Sequence, residues 1–172
     1  GVSAVIERPT SPLGPTLETA RLFLRPPTHD DFPRWADFMS DLETTRFIGG
    51  VQSRHEVWRA MASVAGLWAL QGEGMFSVIE KETGLWMGRI GPLHPYDWPG
   101  REVGWSLHRD ATGKGYAVEA AAASMDYAFD VLNWADVIHC IDPDNRASEK
   151  VAERLGSSNR GPGRIPPPFE HH

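Results

Sequence analysis

A glycine-containing turn between a strand pattern and a helix pattern is the segment best suited to bind a ligand. Residues 112–117 read Thr-Gly-Lys-Gly-Tyr-Ala, and good helix formers continue from there to Met125. The first N–H groups of a helix have no partner within it and lie at the positive end of its dipole. The turn therefore predicts an anion site suited to phosphate.

A second interpretation of the turn stays open on local features alone. Gly113 and Gly115 could serve only to permit a positive φ in a plain strand-to-helix connection. Position 118 is valine, so the turn lacks the third glycine of the dinucleotide fingerprint, and no Gly-Lys-Ser/Thr sequence of a Walker loop follows.

The order of strand, turn and helix resembles motif A of the GNAT N-acetyltransferases, in which a Q/R-x-x-G-x-G/A turn holds the pyrophosphate of acetyl-CoA. Gly115 and Ala117 match the two small positions, and Thr112 replaces the usual Gln or Arg. Residues 102–120, EVGWSLHRDATGKGYAVEA, are most similar to the RimJ/RimL branch, which modifies protein N-termini or related amines. The similarity extends from about Leu17 to Gly156.

The resemblance implies which residues bind acetyl-CoA, largely through backbone groups. Amides at the end of the 102–108 strand would pair with the peptide-like pantetheine arm. An asparagine at the start of the next helix would bond the same arm, although it could also be a simple helix cap. The expected cofactor-binding residues are Leu107, Gly113, Lys114, Gly115, Tyr116, Ala117 and Asn145.

The resemblance also implies two candidate catalytic residues. Ser148 follows Asn145 in the N-x-x-S spacing of the branch, where a hydroxyl near the thioester sulfur is a candidate proton donor; the tyrosine that many members carry four residues later is Ala152 here. Glu102 lies where several members carry a glutamate base, and burial would raise its pKa suitably. Alternatively, Ser148 only caps a helix, and Glu102 is an exposed glutamate paired with Arg101 or another cation.

Composition limits the class of protein and its partners. The 172 residues favour one domain, and the net charge of −6 argues against nucleic acid and favours a cationic amine or basic peptide, although charge identifies no partner. No apolar stretch approaches the roughly 18 residues of a membrane span, and there is no signal-peptide pattern, so we expect no membrane partner and a cytoplasmic location.

Histidine spacing and cysteine content bear on metal and redox chemistry. The histidines are scattered without ligand spacing, so no metal is expected. The single cysteine, Cys140, follows an apolar run and is predicted to be a buried, unreactive thiol. The sequence leaves open whether the protein forms a homodimer.

Strands and helices that alternate along the chain must position these residues. This predicts an α/β (α+β) GNAT-like fold with a mixed central sheet flanked by helices, and a right-handed parallel crossover to a buried strand over 136–141. Residues 1–16 are predicted to be an extended arm, 17–156 the acetyltransferase domain, and 157–172 a Pro/Gly-rich tail, truncated in this sequence before the family's final hairpin. The other predicted strands cover 17–25, 75–80, 85–90 and 102–107; helices begin after Thr28, Ser53, the glycine turn and Asn145.

In the GNAT pattern the first two helices and their connection form a wall of the acceptor site. Aromatic residues that would line it, if they are not simply core, are Phe47, Trp58 and Trp68. The loop over 91–101 precedes the central strand and is a candidate lid. Its candidate acceptor contacts, which are equally consistent with surface residues, are His94, Tyr96, Asp97 and Trp98.

The resemblance favours acetyl transfer from acetyl-CoA to a primary amine, an N-terminus of a protein or peptide, by direct attack in a ternary complex. A small-molecule amine is the alternative acceptor. A non-catalytic CoA-binding module on the same fold remains open because of Thr112 and Ala152, and a nucleotide-binding regulatory domain rests on the glycine turn alone.

Overall fold

A computed structural model describes residues 6–159 and Gly161. Its five strands form one antiparallel sheet in chain order, so each strand pairs with the next. The strands are β1 (Leu17–Glu18), β2 (Leu22–Arg25), β3 (Phe76–Glu80), β4 (Trp86–Leu93) and β5 (Glu102–Leu107). The helices are α1 (Phe32–Ser40), α2 (Arg54–Gln71), α3 (Tyr116–Asp130) and α4 (Arg146–Arg154). The predicted GNAT-like fold is confirmed in outline.

Local sequence signals explain where the long helix α2 begins and ends. The Ser53 hydroxyl accepts the Glu56 N–H at 3.2 Å, and the Glu56 carboxylate accepts the Ser53 N–H at 3.0 Å. This reciprocal capping satisfies two N–H groups that the helix leaves free. Gly72 follows the last turn with φ 74°, the left-handed conformation that glycine adopts without steric cost.

The core occupies both faces of the sheet because strand side chains alternate between them. Phe76 packs edge-on against Tyr127 of α3, with ring centroids 5.4 Å apart. The next residue, Ser77, pairs with Arg89 of β4, whose guanidinium lies over Trp35 of α1. Helices α1 and α3 therefore cover opposite faces.

The predicted buried strand over 136–141 is wrong in extent. Only Ile138 pairs with β5, through a single parallel bridge to Glu102 in which Val103 N–H donates to the Ile138 carbonyl at 3.0 Å. Beyond that bridge, side chains take the place of ladder bonds: Glu102 accepts the Cys140 N–H and the His139 ring bonds the Val103 carbonyl. The described sheet is thus antiparallel, and the parallel crossover survives only as the bridge.

Two smaller predictions also differ from the structure. Residues 17–25 form a tight hairpin, β1 and β2, because the chain turns at 19–21 and Thr19 N–H bonds the Leu22 carbonyl at 2.9 Å. The first three residues of the predicted 91–101 loop extend β4, paired with residues 102–104 of β5. Most of the predicted tail over 157–172, where a final hairpin was sought, lies outside the described residues.

Candidate functional site

The turn before α3 presents a row of unpaired backbone donors. Gly113 and Gly115 adopt φ of 77° and 78°, and the first helical bond of α3 runs from the Glu119 N–H to the Gly115 carbonyl. Among the described residues, the amides of positions 113–118 donate to no backbone or side-chain acceptor. Exposed amides at a helix N-terminus suit an anion, so the turn has the geometry that the predicted anion site requires.

Side chains on the opposite side hold this turn in place. The Tyr116 hydroxyl donates a short hydrogen bond to buried Glu80 at the end of β3, and Lys114 Nζ lies 3.6 Å from the same carboxylate. Burial and the Glu80 carboxylate raise the pKa of Tyr116 to about 12, so it stays a donor. Lys114 and Tyr116 thus anchor the turn through side chains and offer a ligand their backbone groups.

A buried histidine that sequence reasoning missed fixes the end of β5. His108 Nδ1 accepts the Asp110 N–H at 3.0 Å, so the ring proton sits on Nε2, which donates to Asp37 of α1 at 2.6 Å. His108 is fully buried. Its position directly after the strand was the available signal, and it sets the direction in which the chain enters the turn.

The outer edge of β5 is open beyond its first residues. Val103 N–H points away from β4 toward Ile138, and alternate residues of a strand direct their backbone groups to the same side. Trp105 and Leu107 therefore direct their N–H and C=O groups toward the gap between β5 and α4. This is the edge at which the sequence placed the pantetheine arm, with Leu107 as its contact.

A cavity opens in this gap and gathers predicted site residues that are far apart in sequence. Glu102, Asn145 and Ser148 all line it, together with a wall contributed by the α1–α2 connection. The lining residues are Phe47, Ile48, Glu102, Gly104, Trp105, His139, Cys140, Ile141, Asp142, Asn145 and Ser148.

Glu102 is a buried carboxylate that forms no ion pair with a cation among the described residues. It is 4% exposed, and its oxygens accept the Trp98 Nε1–H at 3.0 Å and the Cys140 N–H at 2.7 Å. Burial raises the pKa of Glu102 to about 7, although these hydrogen bonds oppose the shift. The alternative of an exposed glutamate paired with Arg101 is therefore wrong.

Ser148 has both a capping and a cavity environment. Its backbone N–H donates to the Asn145 side-chain oxygen at 3.2 Å, which caps α4 as the alternative interpretation held. Its hydroxyl accepts the Trp105 Nε1–H at 3.2 Å within the cavity. Among the described residues, neither the Ser148 hydroxyl proton nor the Asn145 side-chain NH2 group has an acceptor, so both can donate to a ligand.

His139 and Cys140 line the cavity but were not predicted as site residues. His139 Nδ1 donates to the Val103 carbonyl at 2.8 Å, and burial lowers the pKa of the imidazole, which favours the neutral ring. Cys140 is exposed, so the prediction of a buried thiol is wrong. Partial desolvation and the neighbouring Glu102 carboxylate still raise the pKa of the thiol to about 12, which keeps it a poor nucleophile.

The candidate acceptor contacts divide into two groups. Phe47 lines the cavity, and Trp98 reaches it through its bond to Glu102. Trp68 is core at 3% exposure, and Trp58 packs against Phe32 away from the cavity. Tyr96 is 96% exposed, and His94 packs against Trp134. The 91–101 loop thus contributes one residue to the site, through the indole of Trp98.

Within residues 6–159, none of the helices has both the length and the apolar composition needed to cross a membrane. In the same part of the chain, His, Cys, Asp and Glu side chains do not converge in a group of three that could hold a metal ion.

Comparison with known proteins identifies the family. The model of the acetyltransferase (GNAT) domain matches residues 21–158. The chain belongs to the GNAT acetyltransferase family.

Individual relatives agree with this assignment. The chain is 32% identical over 150 residues to the uncharacterized N-acetyltransferase p20 of Bacillus licheniformis, covering 85% of this chain and 84% of that protein. It is 36% identical over 87 residues to the uncharacterized protein YkkB of Bacillus subtilis, a match that spans 49% of this chain and 51% of that relative. The crystal structure of an acetyltransferase from Agrobacterium tumefaciens is 36% identical, with a TM-score of 0.80, and the match covers 91% of this chain and 90% of that one.

Members of this GNAT family use acetyl-CoA, and the unpaired amides of the turn fit its diphosphate. The departure at Thr112 leaves that fit intact, because the Thr112 side chain is exposed and its hydroxyl bonds the Arg109 carbonyl at 2.9 Å. At position 152 this chain has alanine where many members carry a tyrosine, so α4 lacks the tyrosine hydroxyl. Ser148, one turn earlier, supplies one in the cavity.

Proposed function

We propose that the protein transfers an acetyl group from acetyl-CoA to a primary amine, by direct attack in a ternary complex. The observation that carries the proposal is the cavity, which joins the buried Glu102 carboxylate to the Ser148 hydroxyl beside the open edge of β5. Acetyl-CoA supplies an activated thioester when it is bound. Backbone amides of residues 113–117 hold its diphosphate, and Leu107, Trp105 and Asn145 position its pantetheine arm.

In this proposal Glu102 is the general base. An ammonium group is not a nucleophile, so the acceptor must lose a proton before attack. A carboxylate whose pKa is about 7 is substantially ionised at neutral pH and takes up a proton more readily than an ordinary glutamate. The hydrogen bonds from Trp98 and Cys140 fix its orientation while it does so.

Ser148 is the proposed proton donor to the departing sulfur. Its oxygen already accepts a hydrogen bond from the Trp105 indole, which stabilises developing negative charge on that oxygen. The hydroxyl proton then points away from Trp105 into the cavity. The carbon–sulfur bond breaks after the amine has bonded to the thioester carbon, and the sulfur takes the Ser148 proton. The second proton that the nitrogen loses on becoming an amide restores the Ser148 hydroxyl, so no covalent enzyme intermediate is needed.

The proposed acceptor is the N-terminal amine of a protein or peptide, with a small-molecule amine as the alternative. The RimJ/RimL-like segment over residues 102–120 supports the first choice. We also propose a cytoplasmic location and leave a homodimer as the assembly to be tested.

The test is a thiol-release screen with acetyl-CoA against ribosomal N-terminal peptides, amino acids and aminoglycosides. The proposal expects release with at least one amine, and mass spectrometry should find one acetyl group on that amine. Tight CoA binding in calorimetry with no release across the panel would instead assign a non-catalytic CoA-binding module. Binding of ATP in preference to acetyl-CoA would assign a nucleotide-binding domain.

A further inference from the structure

Arg89 on β4 is a partly buried cation without a counter-charge. Within residues 6–159, every other lysine or arginine side chain that is at least partly buried forms an ion pair. These pairs are Arg25 with Asp31 at 2.7 Å, Arg34 with Asp110 at 3.2 Å and Lys81 with Glu18 at 2.6 Å. Arg89 forms none with any described residue, and its Nε is buried without an acceptor.

The surroundings of Arg89 do not compensate its charge. Its guanidinium lies over the rings of Trp35 and Phe38, 5.9 and 6.0 Å from their centroids, at the outer limit of a useful cation–π contact. Burial lowers the pKa of Arg89 to about 10, so it remains protonated at neutral pH. A buried charge left unpaired is costly, and an anion from outside the described chain would relieve that cost.

A second orphaned donor lies on the neighbouring ring. Trp35 Nε1 is buried and has no acceptor among the described residues. Trp35 stacks on Trp86 at 5.3 Å, which holds the indole beside Arg89. Arg89 and Trp35 thus each carry a donor without an acceptor among the described residues, and a carboxylate can accept from more than one donor.

Sheet register connects this pair of donors to the cavity. Arg89 pairs with Ser106 and Gly91 pairs with Gly104, so both pairs share the sheet face of Glu102. The two glycines add no side chains of their own between Arg89 and Glu102. The buried Met75 side chain covers part of this strip, with its Cε 3.6 Å from the position of a Cβ at Gly104, and Gly104 itself lines the cavity. Four residues of strand separate Ser106 from Glu102, a span of about 13 Å.

We infer that Arg89, with Trp35, binds a carboxylate of the acceptor at a distance on the order of 10 Å from the reacting nitrogen. The inference rests on the proposed function, because it takes the amine to lie at Glu102. It assigns an acceptor class, an amine that also carries an acid group, which the overall charge of −6 does not suggest.

Matched acids and amides of graded length test the acceptor class. The probes are ω-amino acids with two to eight methylene groups and their primary amides, assayed by thiol release with acetyl-CoA. The wild-type protein should prefer the acid at an optimal length by at least about tenfold in kcat/KM, the discrimination expected of one buried ion pair. Arg89→Met should abolish this preference, and Arg89→Lys should restore part of it. Arg59→Met, which removes an exposed arginine of α2, is the matched control and should leave the preference unchanged.

Binding of the N-acetylated acids gives a readout that needs no turnover. Calorimetry should show binding of an N-acetyl-ω-amino acid to the wild-type protein and to Arg59→Met, with at least about a tenfold loss in Arg89→Met. Equal binding of acid and amide by the wild-type protein, or a preference that persists in Arg89→Met, would overturn the inference. Failure of thiol release with selective acid binding intact would overturn only the proposed catalysis.

Discussion

The glycine turn and the cavity are built in opposite ways. The turn consists of consecutive residues, 112–117, and presents backbone N–H groups. The cavity collects side chains from segments near positions 47, 102, 140 and 145. Thr112 and Lys114 show the consequence for the turn. Their side chains bond other residues of the protein, yet the row of backbone donors is intact.

The difference concerns what each region tolerates. A site made of amides depends on backbone conformation and on space, so side-chain identity matters only where bulk or charge enters. A site made of a carboxylate and a hydroxyl depends on chemistry, so an isosteric change suffices to disable it. The predicted variants separate these two kinds of dependence.

Gly115→Glu is expected to have the largest effect on CoA affinity, because it places a carboxylate against the diphosphate. Two like charges about 4 Å apart near a protein surface repel by about 4 kcal/mol, which corresponds to a loss on the order of 1,000-fold in CoA affinity. Calorimetric titration with CoA measures it.

Two controls separate charge from backbone strain at the turn. Gly115→Asn keeps a residue that tolerates φ near 78° and adds no charge, so it should lose much less affinity. Thr112→Ala should bind CoA within about twofold of wild type, since its hydroxyl bonds a backbone carbonyl of the protein. Unchanged affinity in Gly115→Glu would refute the placement of the diphosphate.

Glu102→Gln tests the cavity as a site of chemistry. Removing a general base should lower kcat by about 100- to 10,000-fold while CoA affinity changes little. Circular dichroism on heating should show a folded variant, because the amide retains the shape of the side chain. A kcat near that of the wild-type protein would remove Glu102 from the mechanism.

The pH dependence of the wild-type protein sharpens this assignment. The base acts in its ionised form, so kcat/KM should rise with pH through a midpoint near 7, the value to which burial raises the pKa of Glu102 in the unliganded protein. Glu102→Gln should lose this limb and keep only ionisations that belong to the acceptor. A profile of the same shape in both proteins would contradict the role of Glu102.

Ser148→Ala is expected to have an intermediate effect. Loss of the proton donor should lower kcat by about 10- to 100-fold, the weaker end of general acid catalysis, with unchanged CoA affinity. The helix cap survives, since it uses the Ser148 backbone N–H. Equal losses in kcat and in CoA affinity would reassign Ser148 to cofactor binding.

Substitutions of Asn145 are expected to have the smallest effect. They test whether this residue both caps α4 and binds the pantetheine arm. Asn145→Ala should lower the free energy of unfolding by about 1 kcal/mol, because the cap of α4 is lost. Asn145→Asp keeps an oxygen for the cap but loses the NH2 donor, so it should retain stability and weaken CoA binding by about fivefold. If Asn145→Asp bound CoA as tightly as wild type, Asn145 would be a cap alone.

Elements with strong local signals were predictable from sequence. The capping pair Ser53 and Glu56, the glycine turn and the Asn145 cap each involve residues within a few positions of one another. The 136–141 segment was not predictable, because its apolar pattern is that of a buried strand. Whether such a segment pairs depends on its neighbour, and here the Glu102 carboxylate and the His139 ring take the available backbone groups.

The sequence by itself determined the turn, because the φ of a glycine and the free amides of a first helical turn are local properties of the chain. It also determined the family through residues 102–120. Only the tertiary structure decided that Glu102 is buried, that Ser148 meets Trp105, and that neither Glu102 nor Arg89 has an ion-pair partner among the described residues. Burial and the presence or absence of a counter-charge depend on segments distant in sequence, and these are what set the pKa and the chemistry of each group.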